Sequence, residues 1–284
     1  MIRPFLDLTK PRITWLILMS TAVGFVFGAR VPGWHWLTLL HCLLGTGLLA
    51  SGTAALNQWY EREADAKMAR TKGRPLPAGL VSPTAAFWFG LSLIVAGFFD
   101  LALGNNWLTA GLGLFTVVSY LAAYTPLKQR STHATTIGAV PGAMPPMIGF
   151  AAASGTLTAE AWILFAILFL WQFPHFYAIA WMYREDYANA NMKMLAVVEP
   201  DGLSTARRIF WTSIALVPLS VFPRVFGMAG DVYAVGVVVL GLLFVYSTFR
   251  VLKELTRVGA RNVLLASVIY LPVLYGLLVF DRGF

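Results

Sequence analysis

The run NQWYEREADAKMARTKGRPLPAG, Asn57 to Gly79, concentrates side chains able to handle a metal ion and a phosphorylated ligand. On a helix, Asn57, Glu61 and Asp65 recur at i, i+4 and i+8 and therefore share one face. Three oxygen donors in one stripe suit a hard cation such as Mg²⁺, which takes carboxylates, waters and substrate phosphates. Lys67, Arg70, Lys72 and Arg74 follow at once and offer cations to phosphate oxygens. Acids for a metal beside bases for phosphate are what a diphosphate site requires. The same composition also suits a solvated, charged loop at a membrane edge, so the surroundings must decide.

A second cluster lies in WQFPHFYAIAWMYREDYANANMKM, where Arg184, Glu185 and Asp186 stand just past an apolar segment, with Asn189 one turn beyond Glu185. Two acidic clusters facing each other across a bundle could hold one or two Mg²⁺ against a diphosphate, reversing what would otherwise be strong repulsion. Between the two clusters, Tyr124 and Lys128 in YTPLKQR are four residues apart, so both could reach diphosphate oxygens. Their alternative reading is an interfacial aromatic with an ordinary cytoplasmic lysine. Of the four histidines, His35 and His41 fall near the outer side, His35 as interfacial and His41 as a packed polar residue. His133 and His175 fall toward the inner half. A neutral imidazole can ligate haem iron, although a lone helical histidine is more often a hydrogen-bonded core residue. Asp100 reads as interfacial.

The elements that must position these residues are membrane helices. The chain is 284 residues long, 58% hydrophobic and only 12% charged. Those values suit a polytopic membrane protein rather than a soluble globule. The segments 13–29, 37–57, 84–103, 107–125, 134–153, 160–182, 208–226, 231–250 and 262–280 read as nine spans near the ~20 residues that cross a bilayer. No cleavable-signal pattern opens the sequence. The single cysteine, Cys42, excludes an intrachain disulfide framework. Of the 21 Lys and Arg residues, all but Arg30, Arg224 and Arg282 fall on one side if the N-terminus is cytoplasmic. The +8 net charge is then accounted for by the positive-inside rule and needs no nucleic-acid partner. The orientation is N-terminus in, C-terminus out. The two long inner loops, about 57–83 and 183–207, carry the candidate site, whereas Gly104–Asn105–Asn106 reads as a plain outer turn. The fifth segment, with Pro141, Pro145 and Pro146 among glycines, should be irregular; Pro174 precedes His175 in the sixth.

With these residues in place, Asn57–Gly79 resembles the first signature of the UbiA-type intramembrane prenyltransferases. LTKPRIT (8–14), RTKGRPLPAG (70–79), PGAMPPMIGFAAASG (141–155) and FLWQFPHFYAIAWMYREDY (169–187) resemble its haem O synthase (protohaem IX farnesyltransferase) branch. The resemblance covers nearly the whole chain. It implies an all-α, UbiA-like bundle around a central cavity, forming one prenyltransferase domain over 1–284. It also implies transfer of farnesyl from farnesyl diphosphate to a vinyl group of haem B in a bacterial cytoplasmic (inner) membrane. Asn57, Glu61, Asp65 and Asp186 would bind Mg²⁺; Arg70, Arg74, Lys67 and Lys128 would hold diphosphate, with Tyr124 beside them. Arg184 and Glu185 belong to the substrate-binding set, and His175 and His133 would face the haem. A downstream haem A synthase or terminal oxidase would take the product. Departures are Glu61 where the superfamily usually has Asp, Ala190 four residues after Asp186, Phe173 for a second proline and Asn191 for a glycine. A 4-hydroxybenzoate-type aromatic prenyltransferase and a secondary transporter or flippase are the competing readings.

Overall fold

The computed structural model describes residues 2–29 and 36–283. His35 and Arg30 lie outside the described residues. A short helix, α1 (Ile2–Leu8), leads into α2 (Pro11–Gly28), α3 (Trp36–Lys67) and α4 (Pro83–Gly104). Next come α5 (Trp107–Val118), a π-helical turn (Ser119–Tyr124) and α6 (Thr125–Leu127), which continue one another as a single rod. The interrupted fifth segment forms α7 (Ala134–Gly142) and α8 (Pro145–Ser154), followed by α9 (Ala159–Met182). Two short helices, α10 (Arg184–Asn189) and α11 (Leu195–Val198), precede α12 (Leu203–Val225), α13 (Asp231–Lys253) and α14 (Arg257–Phe280).

Among the described residues, eight helices or helix pairs are long and apolar enough to cross a membrane. The remaining expected span, α12, has 23 residues, but Arg207, Arg208 and Arg224 near its ends make it more polar. The expected second span ends ten residues too early: α3 runs on to Lys67, so the candidate metal stripe is helical throughout. Nothing in NQWYEREADAK stops a helix, since it lacks glycine and proline and has two Glu and two Ala with single Gln, Arg and Lys residues.

The expected irregularity of the fifth segment falls at Ala143–Met144, between α7 and α8. Pro145 starts the new helix, where its missing N–H costs nothing. Buried Gln172 on α9 donates to the Ala139 carbonyl at 3.0 Å, covering backbone beside the break. At the outer turn, Asn106 Oδ1 accepts the Thr109 N–H at 2.9 Å and caps α5, so the turn is also a designed helix start. Asp100 is not a lone interfacial group, because its Oδ1 lies 2.8 Å from Nδ1 of His41, the packed polar residue, across α3 and α4.

Helices α2 and α8 cross at backbone distance. A Cβ added at Gly149 would overlap the Thr21 carbonyl, and one added at Gly24 would overlap Pro146. With lipid tails as apolar as leucine, such close packing is a main source of helix association. A Gly149→Leu variant should therefore melt at clearly lower temperature in detergent, with a loss of at least ~1–3 kcal/mol expected for overpacking against backbone. Gly276→Ala, where a Cβ meets nothing within 4 Å, should melt as the parent does.

Candidate functional site

The three donors of the stripe lie side by side on α3 and are almost completely buried: Asn57 is 1%, Glu61 5% and Asp65 0% exposed. Each faces a base. Arg74 Nη1 donates to Asp65 Oδ2 at 2.7 Å. Lys128 Nζ stands 2.9 Å from Glu61 Oε1 and 3.2 Å from Oε2. Lys10 Nζ donates to Asn57 Oδ1 at 3.0 Å. Asn57 Nδ2 in turn donates to Thr125 Oγ1 at 3.3 Å, and Thr125 Oγ1 donates to the Tyr120 carbonyl at 2.9 Å.

Different local devices deliver the bases. Lys10 occupies the left-handed region (φ 48°, ψ 59°), immediately before Pro11. Proline disfavours the right-handed helical region for the preceding residue, and this turn aims the side chain at α3. Gln58 Nε2 anchors the same turn through the Leu8 carbonyl at 2.9 Å. Arg74 is presented by the turn after α3, where Thr71 Oγ1 donates to the Asp65 carbonyl at 2.9 Å. Lys128 stands just after α6, with its ammonium 4.6 Å from the Tyr124 ring centre. The π-helical turn before it adds a residue to the helical register, a feature frequent at functional sites.

Together they enclose a polar cavity of ≈ 80 Å³, bounded by these acids and bases and by Arg70, Tyr120, Tyr124 and Tyr187. Met192 and Met194 close it from the α10–α12 segment. That segment is tied down by the Lys193 N–H, which donates to the Lys128 carbonyl at 2.8 Å. A second cavity, ≈ 140 Å³ and mainly apolar, lies among α2, α3, α5, α7 and α8. Ile13, Ile17, Leu49, Val117 and Ile148 are among its walls. Lys10 and Tyr120 border both cavities.

Burial, then the neighbouring Arg74 and Lys128 charges, lower the pKa of Lys10 to about 7. For Lys128, burial opposes the charge, but Glu61, Tyr124 and Tyr120 outweigh it and hold its pKa well above that of an ordinary lysine. The acids and bases thus neutralise one another inside the cavity.

The second acidic cluster is placed differently. Asp186 reaches the same end of the bundle, where its Oδ1 accepts the Ala69 N–H at 3.0 Å and its Oδ2 the Arg70 N–H at 3.3 Å. It binds the loop of the first cluster and does not line the cavity. Glu185 is exposed, and Arg184 lies over the Trp181 ring at 4.2 Å. Arg70 lines the cavity, with its guanidinium 4.9 Å from the Tyr183 ring, whereas Lys67 is exposed. His133 is exposed at the start of α7. His175 faces α14, with Nδ1 2.8 Å from Ser267 Oγ and its ring stacked on Trp171 at 4.7 Å. It borders neither cavity. Asn191, standing where a glycine is common, takes φ 55°, a left-handed conformation that Asn tolerates better than most residues.

Sequence reasoning gave no role to Lys10, Tyr120, Tyr187, Met192 or Met194. Lys10 sits inside the LTKPRIT run, and Tyr120, Tyr124 and Lys128 form an i, i+4, i+8 series that was visible. For Tyr187 and the two methionines, nothing in the sequence pointed to the cavity.

The donors fit a hard cation. Asp65 Oδ1 is buried with no hydrogen-bond partner among the described residues, a costly arrangement unless a ligand uses it. Among the described residues, no group of three His, Cys, Asp or Glu side chains could hold a metal alone. Two carboxylates and an amide oxygen would leave the remaining positions of Mg²⁺ to diphosphate and water.

The profile of the UbiA prenyltransferase family matches residues 17–277. The chain belongs to the UbiA prenyltransferase family. A relative from Solibacter usitatus named protoheme IX farnesyltransferase is 59% identical, with the match covering 99% of each chain. Among solved structures, a digeranylgeranylglyceryl phosphate synthase superposes with a TM-score of 0.81 at 16% identity, covering 99% of this chain and 98% of that one. A UbiA homologue from Archaeoglobus fulgidus, solved with GPP and Mg²⁺, gives 0.65 at 15% identity, covering 97% and 99%. At those identities the structures establish the fold: this is an integral membrane protein with the UbiA bundle.

The paired charges lead to two expected outcomes. Lys128→Gln should raise Mn²⁺ affinity in the absence of diphosphate, on the order of tenfold by the usual scale of coupling between sites, as read by electron paramagnetic resonance. Diphosphate binding should carry proton uptake at pH 8 but much less at pH 6. Lys10 is largely neutral only above its lowered pKa, and an anion raises that pKa. Calorimetry in buffers of different ionisation enthalpy reads the uptake, which Lys10→Met should remove.

Proposed function

We propose that this chain is a protohaem IX farnesyltransferase: it joins the farnesyl group of farnesyl diphosphate to a vinyl group of haem B, giving haem O and diphosphate. The observation that carries the reading is the polar cavity of Asn57, Glu61 and Asp65 beside an apolar one, with Lys10 and Tyr120 bordering both. That is the shape of a molecule with a charged head and a hydrocarbon tail. The haem acceptor rests on the 59% identity to the Solibacter usitatus farnesyltransferase. The whole chain, 1–284, acts as one domain in a bacterial inner membrane. The positive-inside bias supports a site at the cytoplasmic face, with the N-terminus inside and the C-terminus outside.

The charges dictate the mechanism. Farnesyl diphosphate enters head first, and its phosphate oxygens draw Arg74, Lys128 and Lys10 away from Asp65, Glu61 and Asn57. Arg70 adds a further cation at the mouth. The three α3 side chains would then hold Mg²⁺. When bound, that ion offsets the charge collecting on the leaving diphosphate. Lys128, Arg74 and Lys10 stabilise the same charge as the C1–O bond breaks, in a site where few waters weaken them. The apolar walls bury the tail, worth ~0.8 kcal/mol per methylene against water and far less against lipid. They also keep water from the allylic cation until the vinyl group has captured it. Water then completes the hydroxyethylfarnesyl substituent. Asp186 orders the Arg70–Arg74 loop through its backbone and, in this reading, serves the site without touching the headgroup. His175, packed between α9 and α14, stays a candidate for the haem side. The product would pass to a haem A synthase or a terminal oxidase.

Purified protein given haem B, farnesyl diphosphate and Mg²⁺ should yield a later-eluting haem, 4-hydroxybenzoate should not be prenylated, and chelation should stop the reaction. Asp65→Asn should lower turnover by at least ~10²-fold, the scale of removing one preorganised electrostatic group. An unchanged haem chromatogram from the parent protein would refute the assignment.

A further inference from the structure

The bond that breaks in an allylic diphosphate joins a charged head to an apolar tail, so it must sit where the two cavities meet. Lys10 and Tyr120 are the residues that border both. They are chemically opposite. The Lys10 ammonium suits the leaving oxygens and would repel positive charge on carbon. The Tyr120 ring presents the negative face of its π system. It is also the only aromatic ring among the described residues lining the apolar cavity.

We propose that Tyr120 is a catalytic residue of the transfer, its ring face lying against C1–C3 of the farnesyl chain and stabilising the positive charge that develops there. The inference rests on the farnesyl-transfer reading. The C1–O bond breaks with its electron pair going to diphosphate. The vinyl π pair forms the new carbon–carbon bond, and the charge moves to the haem side. Water adds there, and its proton goes to diphosphate. Tyr120 exchanges no atom or electron; it contributes field.

The ring is held for that task. Its ring neighbour, Tyr124, lies at 4.9 Å between centroids with planes 72° apart. The Tyr120 carbonyl is tied to Thr125 Oγ1 at 2.9 Å, within the π-helical turn that sets its direction. Tyr124 already carries the Lys128 ammonium 4.6 Å from its ring centre, whereas Tyr120 lines the apolar cavity as well as the polar one. An aliphatic residue there would fill the space but offer no quadrupole to a carbon cation.

The test uses the full-length protein in detergent or nanodiscs, with haem B, farnesyl diphosphate and Mg²⁺. Tyr120→Phe retains the ring face and sets the reference kcat for the series. Phenylalanine at 120 carrying one, two or three fluorines should lower kcat stepwise, to a total of roughly tenfold, with KM for both substrates nearly unchanged. Fluorine weakens the π face with little change of shape, so a packing or positioning role would not give this trend. Tyr120→Leu should lose more, but the fluorinated series decides the matter even if that variant unfolds. A kcat that does not vary with fluorine number, in a protein whose parent is active, overturns the role of Tyr120. An inactive parent overturns the farnesyl-transfer reading instead.

Discussion

The buried carboxylate of Asp65 sets the terms for everything around it. A charge with no exposed surface is expensive unless paired, and here Arg74 pairs only one of its two oxygens. Glu61, one turn earlier on the same helix, imposes the same demand, met by Lys128, and the neutral amide of Asn57, two turns earlier, takes a hydrogen bond from Lys10. Three separate chain segments therefore have to return to one end of α3: the turn before α2, the loop after α3 and the end of α6. The bundle's connectivity at that end is organised by this charge matching.

This arrangement links the free protein to the reaction. The bases that quiet the acids in the absence of ligand are the same groups that receive a diphosphate. Binding is then an exchange of partners, with little gain of new charge inside a poorly screened site. The apolar cavity next door adds the requirement that the ligand carry a tail, which separates such a ligand from free diphosphate or nucleotide.

Much of this was legible in the amino-acid order. Spacing of four along α3 placed Asn57, Glu61 and Asp65 on one face, and hydropathy located the spans, because helical period and bilayer thickness are local constraints. Hydropathy does not show the full extent of α3, because the helix continues past the apolar window. The placement of Asp186 was not legible: whether a carboxylate enters a cavity or grips a neighbouring backbone depends on how α10 docks. Lys10 and Tyr120 stand in visible patterns, but their arrival at the cavity is not legible, for a related reason. One sits in a turn whose direction depends on an unusual φ, the other in a π-helical turn that shifts the register of α6 and Lys128 beyond it. His175 shows the reverse case, a conspicuous residue whose nearest partner, Ser267, lies 92 positions away.

The grip of Asp186 on the amides of residues 69 and 70 has a bearing on how this loop can change over time. A carboxylate that recognises main-chain N–H groups reads no side chain, so the anchoring survives whatever residue stands at either position, proline apart. Anchorage and chemistry are thereby uncoupled: the loop stays fastened from behind while the side chain of residue 70, turned toward the mouth, remains at liberty to diversify with the headgroup it greets.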